Sequence, residues 1–372
     1  MAKKGSLRDR MLGAAKSEFA GYFDDEDYGK IRDWIDTGSI VLNCLISADP
    51  DRGMPTGRII QWAGPQSVGK TFVCMETVKQ AQAKGYFIVY YDSEAANDKD
   101  SVLKRGLDPA SLLYVPVATA EELTTSMLNI IDEADADEKV MIVVDSIGNL
   151  STRKELQDST DGSEKKDMTR AAKLKALFRT VTIKAGMKNI PVAAVNHVYA
   201  SVGSFFPSNT VGGGSGSLYA SSAIIELSKA QDKKGTDVVG AIITAKNIKS
   251  RFAKEKMKVK FNINFNKGLQ RYSGLLEIAE VMNVLIPVKR SYAFNPTGEI
   301  PKDCQGASKE AKANYDRWIT TMPLFSAGML DPTDPIVWDK ILEDGFADKL
   351  RDIFGYQSAT QCLGLMEDES EE

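Results

Sequence analysis

The chain has 372 residues, 43% hydrophobic and 26% charged, with a formal net charge of −4 and a single histidine. A chain of this length and ordinary globular composition is expected to hold a large domain with smaller attachments, and one histidine excludes a multi-histidine metal site within it. No apolar run reaches the roughly 18 residues a membrane helix needs, and the acidic balance argues against wholesale nucleic-acid binding unless local basic patches override it.

Residues 1–36 form a polar prelude. Met1-Ala2-Lys3-Lys4 leads into polar sequence rather than an apolar signal core. Leu7, Met11, Ala14, Ala15 and Phe19 then fall at helical spacing, before the acidic run Asp24-Asp25-Glu26-Asp27. A short helix has little to bury alone, so it either folds back on its own core or docks on a neighbouring subunit. The four cysteines, Cys44, Cys74, Cys304 and Cys362, are scattered without a C-x-x-C, as in a reducing, cytoplasmic setting.

Thr37-Gly38-Ser39 opens the main domain, expected over 37–278. The apolar run Arg58 to Ala63 reads as a buried strand, and Phe72 to Lys84 as a helix. Between them stands Gly64-Pro65-Gln66-Ser67-Val68-Gly69-Lys70-Thr71, the G-x-x-x-x-G-K-T phosphate loop in the strand–loop–helix setting it requires. Gly64 and Gly69 let the backbone turn tightly, and successive N–H groups, with the helix N-terminus, form an anion nest. Lys70 would reach the β- and γ-phosphates of ATP, and Thr71 would offer its hydroxyl to Mg²⁺.

Strands (86–91, 112–116, 140–145, 190–196) then alternate with helices (98–106, 120–134, 168–186), which argues for a mostly parallel sheet covered on both faces. Ligands on such sheets sit at the strands' carboxyl ends, where the phosphate loop, Glu94, Asp145 and His197 all fall. Val140 to Asp145 is an apolar strand ending in an acid, the arrangement that holds Mg²⁺ beside a phosphate loop. A carboxylate after Tyr90-Tyr91 could activate the attacking water; Asp92, Glu94 and Asp98 are all candidates, and Asp92 could instead cap a helix. His197 reads either as a strand-end histidine with a local hydrogen bond or as a polar sensor of the γ-phosphate.

Two stretches, 150–167 and 198–216, read as long loops without structure of their own, either plain lids or a nucleic-acid groove. The first is rich in basic residues, with Arg170, Lys173, Lys175 and Arg179 following; the second is rich in glycine and serine around Phe205-Phe206. Lys246, Lys249, Arg251, Lys254, Lys256, Lys258 and Lys260 form the densest basic cluster, either a wet strand face or a source of charge for phosphates on an adjacent subunit. Met257, Val259, Phe261, Ile263 and Phe265 alternate with polar residues, as in antiparallel edge strands. From about Tyr272 the pattern turns helical and forms a smaller unit over 279–365, followed by an acidic tail, 366–372.

The combination of Thr37-Gly38-Ser39, the phosphate loop, Tyr91-Asp92-Ser93-Glu94, Val143-Val144-Asp145-Ser146, Asn196-His197 and Gly212-Gly213-Gly214, in that order, resembles the RecA-type recombinases. Asp145 to Leu150, Asp167-Met168-Thr169-Arg170 and Tyr272 to Leu276 resemble the UvsX-type recombinases of T-even-like phages in particular. The resemblance implies a RecA-type P-loop NTPase core with a short N-terminal polymerisation arm and a small C-terminal α/β domain. It implies a DNA-dependent ATPase that forms helical filaments on single-stranded DNA, pairs it with duplex DNA and exchanges strands in the host cytoplasm. A loader or mediator and a single-strand-binding protein are its implied partners. Backbone and side-chain groups of Gly64, Gln66, Ser67, Val68, Gly69, Lys70 and Thr71, with Asp98, would bind the nucleotide, and Glu94 would be the catalytic carboxylate. Thr71 and Asp145 would hold Mg²⁺, and His197 would link the γ-phosphate to the second DNA loop. Lys249 and Arg251 would contact ATP across the subunit interface. Loops 151–166 and 198–214 would bind DNA, with Met168, Arg170, Lys173, Arg179, Phe206, Gly212 and Gly213 as contacts. Ser101 stands where bacterial RecA stacks an aromatic on adenine. A hexameric motor on the same core and a non-catalytic ATP-binding adaptor are the rival readings.

Overall fold

The computed structural model describes residues 6–17, 20–22, 30–95, 98–135, 137–161, 169–200, 209–211 and 214–356. α1 (Leu7–Ala15) precedes β1 (Trp34–Ile35), α2 (Ile40–Ser47) and β2 (Met54–Pro55). The core follows as β3 (Ile59–Gly64), α3 (Lys70–Ala83), β4 (Phe87–Asp92), α4 (Lys99–Lys104), β5 (Leu112–Pro116), α5 (Ala120–Glu133) and β6 (Val140–Asp145). It continues through α6 (Arg153–Thr160), α7 (Arg170–Met187), β7 (Val192–Ala200), β8 (Asn209–Val211) and α8 (Gly214–Ala220). β9 (Ala223–Lys234), β10 (Asp237–Ser250), β11 (Lys258–Asn264) and β12 (Gly268–Leu269) close the core. The C-terminal unit holds α9 (Leu275–Val281), β13 (Leu285–Val288), β14 (Ser291–Phe294), α10 (Lys309–Ile319), β15 (Leu324–Ser326), α11 (Pro335–Ile341) and α12 (Ala347–Phe354).

Among the described residues ten strands form one sheet, in the order β12-β11-β10-β9-β3-β7-β6-β4-β5, with β8 paired to β7. The pairs among β9, β3, β7, β6, β4 and β5 are parallel, and β9 to β12 are joined antiparallel. Every residue of β3 is buried, as is β6 after Val140, because helices cover both faces. Between β4 and β5, α4 and the loop after it make the crossover; α5 begins at a capping box in which Thr119 accepts from the Glu122 N–H and Glu122 answers to the Thr119 N–H.

Thr37-Gly38-Ser39 has a structural cause. The Thr37 N–H and hydroxyl both donate to Asn43 Oδ1, at 3.0 and 2.7 Å, and Asn43 Nδ2 donates to Asp36 Oδ1 at 3.0 Å and to the Pro50 carbonyl at 2.9 Å. Thr37 and Asn43 are wholly buried, so this network fixes where α2 leaves the strand β1. Asp36 also pairs with Arg271 at 2.5 Å, tying the start of the domain to its end.

Four expectations change. Residues 150–167 are not without structure: α6 forms because Thr152 caps it, accepting from the Glu155 N–H at 3.0 Å, with Glu155 in its first turn. Residues 198–216 are not one long loop either. β7 runs on to Ala200 and β8 folds back antiparallel with Val198 opposite Val211, while α8 starts at Gly214. Phe265 is 66% exposed, since β11 ends at Asn264, whereas Met257, Val259, Phe261 and Ile263 are buried as the alternation requires. The C-terminal unit is mixed, as the resemblance implied, where the residue pattern from Tyr272 read as helical: β13, β14 and β15 form an antiparallel sheet. Val284, Phe294, Trp338, Phe346 and Phe354 share one apolar cluster with Val41, Ile46 and Leu275, so the unit packs directly on the core.

α1 buries none of its residues. It is held by a Ser6–Asp9 capping box and by Tyr22, which donates to the Arg8 carbonyl while the Arg8 guanidinium lies over its ring. Phe19, the run Asp24–Asp27 and the acidic tail lie outside the described residues.

Replacing Asn43 by Ala strands the Thr37 N–H and leaves the Thr37 hydroxyl only the Ser39 carbonyl, at 3.0 Å. It should lower unfolding stability by about 3 kcal/mol, read from urea denaturation, because a buried donor loses its partner where no water can replace it. A loss under about 0.5 kcal/mol would show that the network is dispensable.

Candidate nucleotide-binding site

The parallel register brings the chemistry together. Gly64 at the end of β3 is the register partner of His197 on β7, and Asp92 on β4 is the partner of Asp145 on β6. The result is a cleft of about 360 Å³ lined by Gln66, Ser67, Gly69, Lys70, Thr71, Phe72, Glu94, Arg105, Asp145, Val195 and His197. The sequence therefore placed Lys70, Thr71, Glu94, Asp145 and His197 at one site. Val68 is buried behind the loop and meets solvent little. Asp98 does not line the cleft: its carboxylate caps α4, accepting from the Ser101 N–H at 2.7 Å.

Gly64 has φ 150°, and a Cβ there would stand 2.5 Å from the Leu227 carbonyl oxygen. Only glycine lets the loop leave β3 so close to β9. Gly69 has φ 99° and starts α3, which puts the helix N-terminus at the cleft. The Lys70 ammonium donates to the loop's own Gly64 and Pro65 carbonyls at 2.9 and 2.6 Å. Burial holds its pKa below the ordinary lysine value, with Asp145 and Glu94 pulling the other way.

Asp145 is 4% exposed. Burial pushes its carboxyl pKa above the usual carboxylate range; the nearby charges of Glu94 and Asp92 add to this, and hydrogen bonds from Tyr90 and Thr71 oppose it. Tyr90 donates to Asp145 Oδ2 at 2.7 Å, and its own ionisation is driven far up by burial and by that carboxylate. A desolvated carboxylate facing two others, beside a threonine hydroxyl, fits a divalent cation. Among the described residues no group of three or more His, Cys, Asp or Glu side chains could hold a metal alone.

Glu94 Oε1 lies 3.1 Å from His197 Nε2 and accepts from the Ser146 hydroxyl at 2.7 Å. The carboxylate is thus aimed by two groups on two strands' ends. Asp92, the alternative acid, is buried and spent: its Oδ1 accepts from the Glu94 and Ala95 N–H groups at 2.7 and 2.8 Å, and its Oδ2 from Tyr114 at 3.2 Å. It shapes the turn that presents Glu94 and caps no helix. His197 packs on Gly148, where a Cβ would meet its Cδ2 at 2.6 Å.

A buried relay, which sequence reasoning missed, leads from His197 to α8. The His197 N–H donates to Asn196 Oδ1 at 2.9 Å, Asn196 Nδ2 to Gln61 Oε1 at 3.1 Å, and Gln61 Nε2 to the Ser217 carbonyl and the Ser221 hydroxyl at 3.0 and 2.7 Å. Gln61, Asn196, Ser217 and Ser221 are all fully buried. One glutamine inside the apolar run Ile59-Ile60-Gln61-Trp62-Ala63 was the available signal, because a buried amide demands partners.

Lys249 and Arg251 sit at the C-terminal end of α8, outside the cleft. Lys249 Nζ donates to the Leu218 and Tyr219 carbonyls at 2.6 and 3.2 Å, and Arg251 to the Tyr219 carbonyl at 3.4 Å. Burial and the charge of Arg251 lower the Lys249 pKa. Of the residues expected at DNA, Arg179 is exposed and Lys173 pairs with Glu121 at 3.7 Å, whereas Arg170 points inward, donating to the Ile147 carbonyl at 3.2 Å and to that of Gly148. Met168, Phe206, Gly212 and Gly213 lie outside the described residues.

The model of the RecA N-terminal domain matches residues 23–270. The chain belongs to the RecA family. The recombination and repair protein of Enterobacteria phage T4 is 31% identical over 80% of this chain and 77% of its own length. Protein RecA of Bdellovibrio bacteriovorus is 28% identical over 76% of this chain and 71% of its own. The crystal structure of the RadB recombinase superposes with a TM-score of 0.46 at 22% identity, over 62% of this chain and 96% of that one. Among the described residues no helix of this RecA-family chain is long and apolar enough to cross a membrane.

Two substitutions test the site. Gly148→Ala pushes His197 away from Glu94 and should cut ATP turnover at least about tenfold while the fold survives; unchanged turnover would detach His197 from the chemistry. Asp145→Asn removes a carboxylate whose folded pKa is raised, so its charge costs stability above that pKa and the cost vanishes as pH falls through it. The nucleotide-free variant should therefore melt a few degrees higher than wild type near neutral pH, and the difference should shrink on acidification. A lower melting temperature for the variant at neutral pH contradicts the assignment.

Proposed function

We propose that this RecA-family chain is an ATP-dependent recombination protein that polymerises on single-stranded DNA, pairs it with homologous duplex and exchanges strands. One observation carries the reading: Lys70, Thr71, Asp145, Glu94 and His197 line a single cleft, and His197 is wired through Asn196 and Gln61 to α8. α8 directly follows the stretch 198–214 that the reading assigns to DNA, so a group bound at the cleft has a path to that stretch.

In this mechanism the triphosphate of ATP lies on the loop N–H groups and the start of α3, and Lys70 exchanges its loop carbonyls for β- and γ-oxygens. Thr71 and Asp145 would hold Mg²⁺, which would supply positive charge to the triphosphate when bound. Glu94, aimed by Ser146 and His197, orients the attacking water and takes its proton. Lys249 and Arg251 supply positive charge to the nucleotide of the adjacent subunit. α1, with no buried residue, serves as the polymerisation arm that docks on a neighbour. Lys173, Arg179, Met168, Phe206, Gly212 and Gly213 contact DNA; Arg170 acts by bracing the turn beneath His197 instead. The host cytoplasm, a loader and a single-strand-binding protein complete the setting.

Hydrolysis assayed with and without single-stranded oligonucleotide tests this. Wild type should hydrolyse ATP faster with DNA and form helical filaments under the electron microscope. Closed rings, or turnover indifferent to DNA, would refute the reading in favour of a motor or an adaptor. Lys70→Ala should abolish both properties. Glu94→Gln should keep ATP binding while turnover falls by about 10²- to 10⁴-fold.

A further inference from the structure

The cleft extends past the phosphate loop to a residue that the mechanism above leaves unused. Arg105 follows the last residue of α4 and lines the cleft together with Phe72. Its Nη1 is buried and has no hydrogen-bond partner. A buried guanidinium donor without an acceptor is costly, and it belongs to a side chain that lines the cleft.

Its place along the cleft is fixed by its neighbours. The charge of Arg105 acts on Glu76, and a Cβ on the adjoining Gly106 would lie 3.6 Å from Lys79 Nζ. Glu76 and Lys79 stand on the second and third turns of α3, beyond Phe72 and away from the phosphate loop. Glu94 and His197, by contrast, meet at the loop end. A nucleotide whose phosphates lie on the loop, with its terminal phosphate toward Glu94, therefore directs its nucleoside toward Phe72 and Arg105.

The other polar groups of α4 are already committed. Ser101 donates its N–H to Asp98 Oδ1 at 2.7 Å and its hydroxyl to the Asp98 carbonyl at 2.8 Å, and Asp98 gives its N–H to Ser101 Oγ at 3.1 Å. Ser101 and Arg105 are four residues apart and share one face of the helix. The serine puts no bulky side chain on that face, and Arg105, one turn on, lines the cleft.

We propose that Arg105 is the residue that holds the base of the bound nucleotide, its guanidinium turning to donate to a ring acceptor of a purine, with Glu76 positioning the guanidinium. The proposal rests on the nucleotide reading of the cleft. Its chemistry has a consequence for selectivity. A guanidinium matches the two acceptors of guanine, N7 and O6, at least as well as the single N7 acceptor of adenine, where the neighbouring amino group is itself a donor. The site should therefore accept guanosine as well as adenosine triphosphate, and disfavour pyrimidines.

Equilibrium titration of the full chain with the slowly hydrolysed γ-thio analogues of ATP and GTP, with CTP, and with inorganic tripolyphosphate separates the possibilities. For Arg105→Ala, affinity for both purine analogues should fall roughly ten- to a hundredfold, with tripolyphosphate affinity and melting temperature unchanged. Arg105→Lys keeps the charge and loses the planar fork, so it too should lose preference for purine over CTP. An equal loss for tripolyphosphate would show that Arg105 acts on phosphate charge, and no loss for any ligand would show that it contacts nothing; either overturns the proposal. Wild type that binds no nucleotide and no tripolyphosphate would overturn the phosphate-loop reading itself, a different result from wild-type binding that Arg105→Ala leaves intact.

Discussion

Parallel strand register is the constraint on which the site depends. Gly64 opposite His197 and Asp92 opposite Asp145 bring the ends of β3, β4 and β6 alongside His197 within β7. Slippage by one residue would turn each side chain to the other face of the sheet and scatter the cleft. The register survives because the strands are buried on both faces, and because Gly64 permits a close approach to the Leu227 carbonyl that any side chain would block. The outcome is electrostatically unsatisfied. Burial raises the Asp145 pKa and lowers that of Lys70, so each charge has lost water that the protein alone does not replace. In the proposed function, a polyanion carrying a divalent cation would supply what both lack.

The second consequence of burial is directional. Gln61 and Asn196 occupy positions where the strands are otherwise apolar, and each uses its amide both to donate and to accept. A fully satisfied buried network is rigid. It makes His197, on one side, and α8, on the other, parts of one unit. Lys249 and Arg251 grip the last carbonyls of the same helix. α8 is therefore held at its inner face by the strand that reaches the nucleotide and at its end by cations the reading gives to a neighbour's nucleotide, so both sites pull on one short helix.

Much of this was legible in the sequence for physical reasons. The phosphate loop carries its own backbone requirements, and Asp145 ends an apolar strand whose register follows from its neighbours. The β–α alternation pointed to the parallel core, with element ends shifted by a residue or two except in β7, which runs four residues past its expected end. α6 was hidden because its cap and first-turn acid, Thr152 and Glu155, sit in a stretch that otherwise reads as charged and polar. β8 and α8 were hidden because glycine and serine have weak preferences, and tertiary pairing of Val198 with Val211 decides there. Arg105, Arg170 and the Gln61 relay depend on which elements meet, which spacing along the chain does not encode. Asp98 and Asp92 show the converse: acids near the site that local hydrogen bonds had already claimed.

The central claim is that nucleotide in the cleft and the segment leading into α8 form one mechanical unit. Amide hydrogen exchange of the chain with and without the γ-thio analogue of ATP tests it most directly. The account predicts slowed exchange in the phosphate loop and, equally, across Leu218 to Ser222, which do not line the cleft. Protection confined to the loop and the start of α3, with α8 exchanging as before, would contradict it.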